Sequence, residues 1–336
     1  MNTPVCVAAD GGPSETICPI AAHYNTRLAG VDSAAAASDA HWRAELERTA
    51  PPLLIVGTSD SRRGRVIEAA ARRAARNLHV RIAAIEDFPG NYWHIAGAEA
   101  DLTLVESAAA RDICLRNLGA HAPRLAVVSP ARYDRYRERL SDLRRHTASR
   151  WSADAPGRYR ALWAGQPETE DCMRTLLALL PVLRALNVEL LFKAHPQDQG
   201  YLSGDYRRTL DEAGIAWTDL TARPVEDALS AAPHVVVTQF SSVAVEAGFF
   251  GIPSLWILLA DAGGARLYAK KGYLEPPLCA AGGALSVRDT AHCADMLRLA
   301  LTPERRAGLI ECFDRYFAVE QPGLTATVRI LRALAA

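Results

Sequence analysis

The stretch "HVVVTQFSSVAVEAGFFGIPSLWI", residues 234–257, contains two short apolar runs joined by a segment rich in helix-forming residues. Two strands connected through a helix pair in parallel, because the crossover returns the chain to the same end of the sheet. Strands that are apolar along their whole length are buried on both faces, as in α/β proteins. This stretch therefore predicts a parallel sheet covered by helices.

The same alternation of strand and helix occurs on both sides of this stretch. Apolar runs such as "PPLLIVGTSD" and "ADLTLVES" precede helical patterns in the first half, where "VRIAAI" is a further strand, and "YRALWAG" and "VELLFKAHP" precede helical patterns in the second. Between the halves, residues 141–158 lose apolar periodicity and accumulate Ser, Ala, Asp, Pro and Gly, which predicts a linker. We therefore predict two doubly wound, Rossmann-like domains at 1–145 and 156–310. Two helices at 311–336 would follow, with a return to the N-terminal domain as one option.

Composition excludes several classes of protein. The 336 residues suit about two domains, and 38 basic residues balance 38 acidic ones. A nucleic-acid protein acting through bulk charge is usually basic, so we expect no nucleic-acid partner. The seven scattered cysteines contain no Cys-x-x-Cys pair, which disfavours a disulfide framework or a zinc site. Without a secretory signal or a long apolar run, the chain is expected to be cytoplasmic; its oligomeric state stays open.

A basic cluster in the predicted linker raises the question of membrane contact. Arg144, Arg145 and Arg150 precede Trp151, a combination that suits an anionic lipid surface at the inner face of a membrane. The alternative is the solvated basic end of a helix. Both interpretations stay open at this point.

Polar residues follow the first apolar run of the opening stretch, where ligands bind in open parallel sheets. Thr238 and Gln239 end the strand, and Ser241 and Ser242 stand where the helix should begin. Free N–H groups at a helix start bind phosphate, and serine hydroxyls add donors. Either serine could instead be an ordinary helix cap. Glu246, one turn into the helix, could reach ribose hydroxyls or face solvent.

A second strand ends in the same way within "LLFKAHPQDQG", residues 190–200. His195 directly follows the buried run, so its ring can donate a hydrogen bond to a phosphate oxygen, and Pro196 ends the strand behind it. Lys193 is a weaker candidate for a phosphate ligand because it lies within the strand. The alternative is a loop histidine with a backbone partner.

The third strand end is acidic. In "IAAIEDFPGNYW", residues 82–93, Glu86 and Asp87 follow an apolar run and precede Pro-Gly. One of these carboxylates could take a proton from a hydroxyl acceptor, and we favour Asp87 because it is nearer the loop. Asn91 and Tyr92 are candidates for acceptor contacts. The alternative is a solvated acidic turn followed by aromatic core residues.

A glycine pair opens the first predicted helix. Gly11 and Gly12 in "ADGGPSE" permit close approach of the backbone to a ligand, and we assign them to acceptor binding. The spacing is not the Gly-x-Gly-x-x-Gly dinucleotide fingerprint, and no Walker lysine motif occurs in the chain.

These motifs together resemble those of GT-B glycosyltransferases. They are most similar to bacterial sialyltransferases and polysialyltransferases and to related capsule and CDP-glycerol-type transferases. The resemblance rests on His195-Pro196, on Ser241-Ser242 and on an altered acidic pair before glycine. "LWAGQPETE", residues 162–170, resembles the opening of the donor domain, and "VEAGFFGIP" resembles a Glu-Ala…Gly-x-Pro run of this fold.

The resemblance implies two Rossmann-like domains facing a central cleft, with acceptor bound by the first and nucleotide donor by the second. It implies inverting transfer from a CMP-, CDP- or UDP-linked sugar to a glycan or other hydroxyl acceptor. No metal and no cofactor beyond the nucleotide sugar are expected. A carboxylate would deprotonate the acceptor while His195 and the serines, with Gly165 and Gln166, hold the leaving phosphate. The insertion of Phe88 and Pro89 leaves the choice between Glu86 and Asp87 open.

Two other functions remain as alternatives. A non-hydrolysing sugar-nucleotide 2-epimerase shares the two-domain fold, but we expect a Ser-Gly-Gly-like loop there, which "QFSSV" lacks. A non-catalytic nucleotide-sugar-binding module would bind donor and be insensitive to loss of Glu86 and Asp87.

Overall fold

The protein is described by a computed structural model that covers residues 3–29, 31–155 and 157–336. Residue 156, the predicted start of the second domain, and residue 1, the predicted start of the first, lie outside the described residues. The chain forms two compact units: one contains the residues up to Arg135 together with Glu320–Ala336, and the other is Tyr136–Val319. The division thus falls at 135–136, earlier in the chain than our predicted boundary of 145–156, and residues 311–319 belong to the second unit.

All strands of the described residues lie in two parallel sheets. The first sheet has the order β1-β2-β3-β4-β5 and the second the order β11-β10-β9-β6-β7-β8. The strands are β1 Val5–Val7, β2 Leu53–Val56, β3 Arg81–Ile85, β4 Leu102–Val105, β5 Leu125–Val127, β6 Tyr159–Ala164, β7 Val188–Lys193, β8 Trp217–Asp219, β9 Val235–Thr238, β10 Ser254–Ile257 and β11 Leu285–Val287.

Helices connect nearly all of these strands. The α-helices are α1 Gly11–His23, α2 Asp39–Thr49, α3 Arg62–Asn77, α4 Ala108–Leu118, α5 Asp134–Arg137, α6 Leu140–Ala153, α7 Thr169–Ala185, α8 Gln199–Leu202, α9 Asp205–Ala213, α10 Val225–Ser230, α11 Val243–Phe249, α12 Gly263–Lys271, α13 Pro277–Ala280, α14 Cys293–Leu301, α15 Pro303–Phe317 and α16 Gly323–Ala335. Short 3-10 helices occupy Ala34–Ala37, Gly119–His121, Ala131–Tyr133 and Thr290–His292.

The sheet of the first unit is covered on both faces, which is why its strands are apolar throughout. Helices α2, α3 and α4 supply one core, with Trp42 and Ile67 buried in it. Helices α1 and α16 supply the other, with Ile17 and Leu331 buried. The chain therefore returns to this unit at its C-terminal end, where Asp134 accepts hydrogen bonds from the first backbone N–H groups of α16 at 2.9 and 2.7 Å.

The core of the second unit centres on the sheet strands and on helices α7, α9 and α14. Trp163, Leu179, Phe192 and Leu297 are essentially inaccessible to solvent there. The buried strands and the alternation with helices confirm the fold class predicted from the sequence.

The prediction of a linker at residues 141–158 was wrong for most of its length, because helix α6 spans Leu140–Ala153. The helix buries a narrow stripe spaced four residues apart, formed by Leu143, Thr147 and the partly buried Trp151. Only one of these three residues is aliphatic, so the sequence shows no repeat of aliphatic residues that would indicate a buried helix face. Helix α6 packs on α10 and α11 of the second unit, which moves the boundary towards the N-terminus.

The basic cluster on α6 is engaged within the second unit. Arg144 forms a bidentate pair with Asp314 at 2.8 and 2.5 Å. The indole of Trp151 donates to Ala232 O at 3.1 Å and lies under the guanidinium of Arg306, 3.9 Å from the ring centre. These contacts withdraw two of the four predicted lipid-binding side chains from a membrane surface. Arg145 and Arg150 are exposed, as in the alternative of a solvated basic helix end, whereas Arg144 and Trp151 pack on their own unit.

Replacement of Gly248 by alanine should lower the free energy of unfolding by about 1–3 kcal/mol, the usual cost of overpacking a core. A Cβ at this position would overlap the ring of Phe313, which packs against Phe249 and Phe317 with ring centres 5.1 and 4.9 Å apart. Urea unfolding followed by circular dichroism measures the change.

Gly308→Ala on α15 is the matched control. A Cβ there contacts none of the described residues within 4 Å, so the better helix propensity of alanine should raise stability by about 0.5–1 kcal/mol. Equal effects of the two substitutions would contradict the packing explanation.

Candidate functional site

The order in which the chain adds strands to the second sheet reverses between β6 and β9. From β6 the chain adds β7 and β8 on one side, and it then returns to add β9, β10 and β11 on the other. In open α/β sheets, ligands bind outside the carboxyl ends of the strands at such a switch point. Ala164 at the end of β6 pairs with Lys193 of β7 and with Thr238 of β9. The residues that follow these three strands therefore meet at one edge.

Gly165 lies at the centre of this edge. Its N–H donates to Lys193 O at 2.9 Å, and a Cβ here would lie 3.4 Å from backbone atoms of Ala194 and His195. The absence of a side chain leaves the end of β6 open between its two neighbours. Gln166 follows directly, with its N–H directed to the thiol of Cys172 at 3.2 Å.

His195 stands on the β7 side of Gly165 and is half-buried. Its Nδ1 accepts a hydrogen bond from the backbone N–H of Gln197 at 3.2 Å. In the neutral ring the proton is therefore on Nε2, which is left as a donor. Burial lowers the pKa of His195 below its usual 6.5, opposed by the charges of Glu168 and Asp198. The ring is thus mainly neutral at pH 7 and presents an N–H group. Pro196, next in the chain, is exposed.

Ser241 and Ser242 stand on the β9 side of Gly165, and both are half-buried. Thr238 Oγ1 donates to Ala164 O at 2.6 Å and accepts from Ser241 N at 3.2 Å, which fixes the turn that leads into α11. Ser242 occupies the cap position of this helix, yet its side chain makes no capping hydrogen bond. The simple helix-cap explanation therefore does not account for Ser242.

Three predicted donor-binding side chains point into the protein instead. Thr238 and Gln239 are fully buried, and Gln239 Nε2 donates to Thr175 Oγ1 at 2.8 Å. Lys193 directs its ammonium group to backbone carbonyls of the loop after β8, including Thr221 O at 3.2 Å. These three residues hold the strand ends in place, and we assign them a structural role rather than contact with phosphate.

The side chain of Glu246 is also buried and hydrogen-bonded within the second unit. It is 5% exposed, and its Oε2 accepts a hydrogen bond from the hydroxyl of Tyr136. The Tyr136 ring packs against Phe249 and Phe250, with ring centres 5.8 and 5.7 Å apart. The solvent-facing alternative for Glu246 is therefore wrong, because the α11 turn faces the core.

Removal of the Tyr136 hydroxyl should cost about 1–3 kcal/mol of stability, since Tyr136→Phe leaves a buried Glu246 oxygen without this donor. Chemical unfolding measures the loss, and nucleotide affinity should be little changed. A large change in affinity at unchanged stability would instead indicate that Glu246 binds the ligand.

The first unit carries the predicted acidic pair at the end of β3. Glu86 is 4% exposed and its Oε1 accepts from Gly90 N at 2.9 Å, whereas Asp87 is half-buried. Of the two carboxylates, Asp87 is therefore the one that solvent reaches more readily. This difference agrees with our preference for Asp87 as a base.

Several predicted residues gather around Asp87. Its Oδ1 accepts hydrogen bonds from Thr58 Oγ1 at 3.1 Å and from Asn91 Nδ2 at 2.7 Å. A Cβ on Gly12 would lie 2.5 Å from Asp87 Oδ2, so only glycine permits this approach. A Cβ on Gly11 would contact none of the described residues within 4 Å.

Tyr92 does not join this group. It is 6% exposed, and its hydroxyl accepts from the buried Arg72 at 3.0 Å, so it is a core residue rather than an acceptor contact. Four polar residues near Asp87 were not predicted from the sequence, namely Asp10, Thr58, Ser59 and Glu68. The run "GTSDS" directly after β2 is a strand-end signal of the kind used for the other sites. Glu68 gave no signal, because a single acid within a helix is usually exposed.

Neither a metal site nor a membrane span is found in the described residues. In this part of the chain, no cluster of three or more His, Cys, Asp or Glu side chains is arranged to hold a metal ion. None of its helices has the length and apolar character that crossing a bilayer requires. The metal independence of the reaction stays a prediction.

Comparison with known proteins defines the fold. No protein-family profile matches the sequence, and no curated protein sequence matches it. Among solved structures, the UDP-GlcNAc 2-epimerase of Methanocaldococcus jannaschii in complex with UDP-GlcNAc and UDP is similar over 98% of this chain and 99% of its own, with a TM-score of 0.61 and 12% identity. The enzyme of that name from Neisseria meningitidis, bound to UDP-GlcNAc, matches over 99% and 92%, with a TM-score of 0.60 and 13% identity.

A glycosyltransferase has a similar structure as well. A spinosyn rhamnosyltransferase in complex with spinosyn aglycone matches over 98% of this chain and 100% of its own, with a TM-score of 0.54 and 15% identity. Two parallel-sheet, Rossmann-like domains of this kind define the GT-B fold, so the predicted fold is confirmed. The narrower resemblance to sialyltransferases stays a prediction.

Proposed function

We propose that this protein is an enzyme that acts on a nucleotide-activated sugar, and that the nucleotide phosphate binds at the switch point of the second sheet. The observation that carries the proposal is the placement of donors on both sides of Gly165. His195 Nε2–H follows β7, and the Ser241 and Ser242 hydroxyls follow β9. These strands flank β6, so their axes are about 10 Å apart at the usual strand spacing. A phosphate above Gly165 would lie within reach of both sides.

Of the reactions open to such an enzyme, we place 2-epimerisation of a UDP-sugar first. The similar structures from Methanocaldococcus jannaschii and Neisseria meningitidis are named for this activity and contain UDP-GlcNAc, and they cover nearly the whole chain. The reaction needs a base for a ring proton and donors that stabilise negative charge on the phosphate. Asp87 is our candidate for the base, and His195 with the serines for the donors.

Inverting glycosyl transfer is the second candidate. It is favoured by "QFSSV", which lacks the glycines of the Ser-Gly-Gly-like loop that we expect in an epimerase. The rhamnosyltransferase with a similar fold also supports it. In this reaction Asp87 would take the proton of the acceptor hydroxyl, and the same donors would hold the departing nucleotide.

Product analysis without an acceptor distinguishes these functions. The protein is incubated with UDP-GlcNAc in D₂O and followed by proton NMR. A second UDP-sugar carrying deuterium at C2 supports epimerisation, because proton abstraction at that carbon exchanges it with solvent. Intact UDP-GlcNAc, together with product formation only when a hydroxyl acceptor is added, supports transfer.

The choice of nucleotide is tested separately by thermal shift with CMP-, CDP-, UDP- and GDP-linked sugars. A ligand present at a hundred times its dissociation constant stabilises the fold by about 2.7 kcal/mol. Failure of all four classes to stabilise the protein would contradict the proposed function. Binding without turnover under either condition would support the non-catalytic alternative.

A further inference from the structure

Glu68 is a buried acid to which the proposed function assigns no role. It lies in α3 and is 1% exposed. Its Oε2 accepts from the backbone N–H of Ser59 at 2.8 Å, its Oε1 contacts the Ser59 hydroxyl at 2.5 Å, and the backbone of Ala9 also donates to it. One carboxyl group therefore joins the loop after β1 to the loop after β2.

The two loops are also tied to each other directly. Asp10 N donates to Ser59 Oγ at 3.1 Å. In the other direction, Asp10 Oδ2 accepts from the N–H groups of Asp60 and Ser61 at 2.9 and 2.8 Å. A Cβ on Gly64 would overlap Ser59, so this close arrangement depends on glycine in α3. The result is one connected network with Glu68 at its buried end.

This network borders the candidate base. Thr58, the neighbour of Ser59, donates to Asp87 Oδ1 at 3.1 Å. Gly12, two residues after Asp10, lies against Asp87 Oδ2. The loop after β2 and the first turn of α1, which directly follows the loop after β1, therefore both lie against the Asp87 carboxylate. A shift of either loop would move or release this carboxylate.

Several charged groups surround Glu68. Arg72 lies one turn further along α3 and is within range of its charge. The negative charge of Asp87, at the end of β3, disfavours ionisation of Glu68. Asp10 belongs to the adjoining loop. Burial raises the pKa of Glu68 from 4.5 to about 7, against the hydrogen bonds from Ser59 and Ala9, which favour the ionised form. The carboxyl group therefore changes charge near neutral pH.

We propose that Glu68 is a positioning residue for the reaction at Asp87, and that its protonation state controls how firmly the loops after β1 and β2 are held. The neutral form is the one that the buried site favours. Ionisation places a charge away from water, and the hydrogen bonds from Ser59 and Ala9 offset only part of that cost. The charge therefore favours opening of the loops to water. The role of Asp87 rests on the proposed function, whereas the behaviour of the loops does not.

The direction of the pH effect follows from linkage. Because the pKa of Glu68 is raised in the folded protein, the stability that its neutral carboxyl group contributes is full below about pH 4.5. This stability is lost as pH rises through about 7. If opening restores the ordinary pKa, the opening equilibrium should increase by more than about tenfold across this range.

Amide hydrogen exchange tests the proposal without any substrate. Protection of peptides covering residues 8–15 and 57–63, corrected for the intrinsic effect of pH, is measured from pH 4.5 to 9. In the wild type, protection should fall with rising pH by more than about tenfold. In Glu68→Gln, which keeps the shape but cannot ionise, this step should be absent. Persistence of the step in Glu68→Gln would overturn the proposal.

Ser59→Ala provides a second, independent variant. It removes a hydrogen bond that favours ionised Glu68, so the step should move to higher pH. An unchanged midpoint would contradict the assignment, even if Glu68→Gln failed to fold.

Where nucleotide-sugar turnover is found, Glu68→Gln should change the pH profile of kcat and leave KM for the nucleotide sugar near that of the wild type. If the wild type shows the predicted pH-dependent loss of amide protection but no turnover, the proposed function is overturned and the control of the loops by Glu68 is not.

Discussion

Asp87→Asn should reduce turnover of the nucleotide sugar by about 10²–10⁴-fold, the usual contribution of a positioned general base. Asparagine keeps the shape of the side chain and an oxygen that accepts from Asn91, but it cannot take up the substrate proton. Affinity for the nucleotide should stay near that of the wild type, because the phosphate donors belong to the second unit. Turnover is measured by NMR on the identified substrate, and affinity by isothermal titration calorimetry.

Glu86→Gln is the matched control for this prediction. Glu86 is the adjacent carboxylate, but it is almost fully buried and accepts from Gly90 N, a bond that glutamine can also accept. We expect a small effect on turnover. Loss of activity in Glu86→Gln but not in Asp87→Asn would transfer the role of base to Glu86. Full activity in both variants would leave the chain without a candidate base and would overturn the assignment of the base to the end of β3.

His195→Ala should weaken nucleotide binding and turnover together. A hydrogen bond to a charged group contributes about 1.5–3 kcal/mol, or roughly 10–150-fold in affinity. A donor aimed at charge that develops on the phosphate contributes about 10²–10³-fold to turnover. The exposed His292 of the same unit is the control, and His292→Ala should leave both quantities unchanged.

The pH dependence of binding tests which form of His195 acts. Because burial keeps the pKa of His195 below 6.5, the donor is the neutral ring, and nucleotide-sugar affinity should be nearly constant from pH 6.5 to 8. A nucleotide sugar is the appropriate probe, because its phosphodiester linkages do not titrate in this range. Affinity that falls tenfold per pH unit would show that the protonated ring is required.

The sequence alone was sufficient to predict the α/β class and the strand-end residues. Buried parallel strands need unbroken apolar runs, so the runs and the polar residues after them, such as His195 and Ser241, could be read directly. The sequence pattern predicted a helix only as far as residue 146. Its continuation to residue 153 was missed because the buried stripe contains a threonine and a tryptophan rather than repeated aliphatic residues.

Burial of individual polar side chains was decided only by the tertiary structure. Gln239, Glu246 and Tyr92 looked like ligand contacts by their position in the chain, yet each has a buried hydrogen-bond partner far away in sequence. Glu68 is the clearest case, because the burial that raises its pKa arises only in the folded unit, where β1 and β2 pair and bring two loops together. Local sequence determines which residues stand at a strand end, whereas long-range packing determines which of them water and ligand can reach.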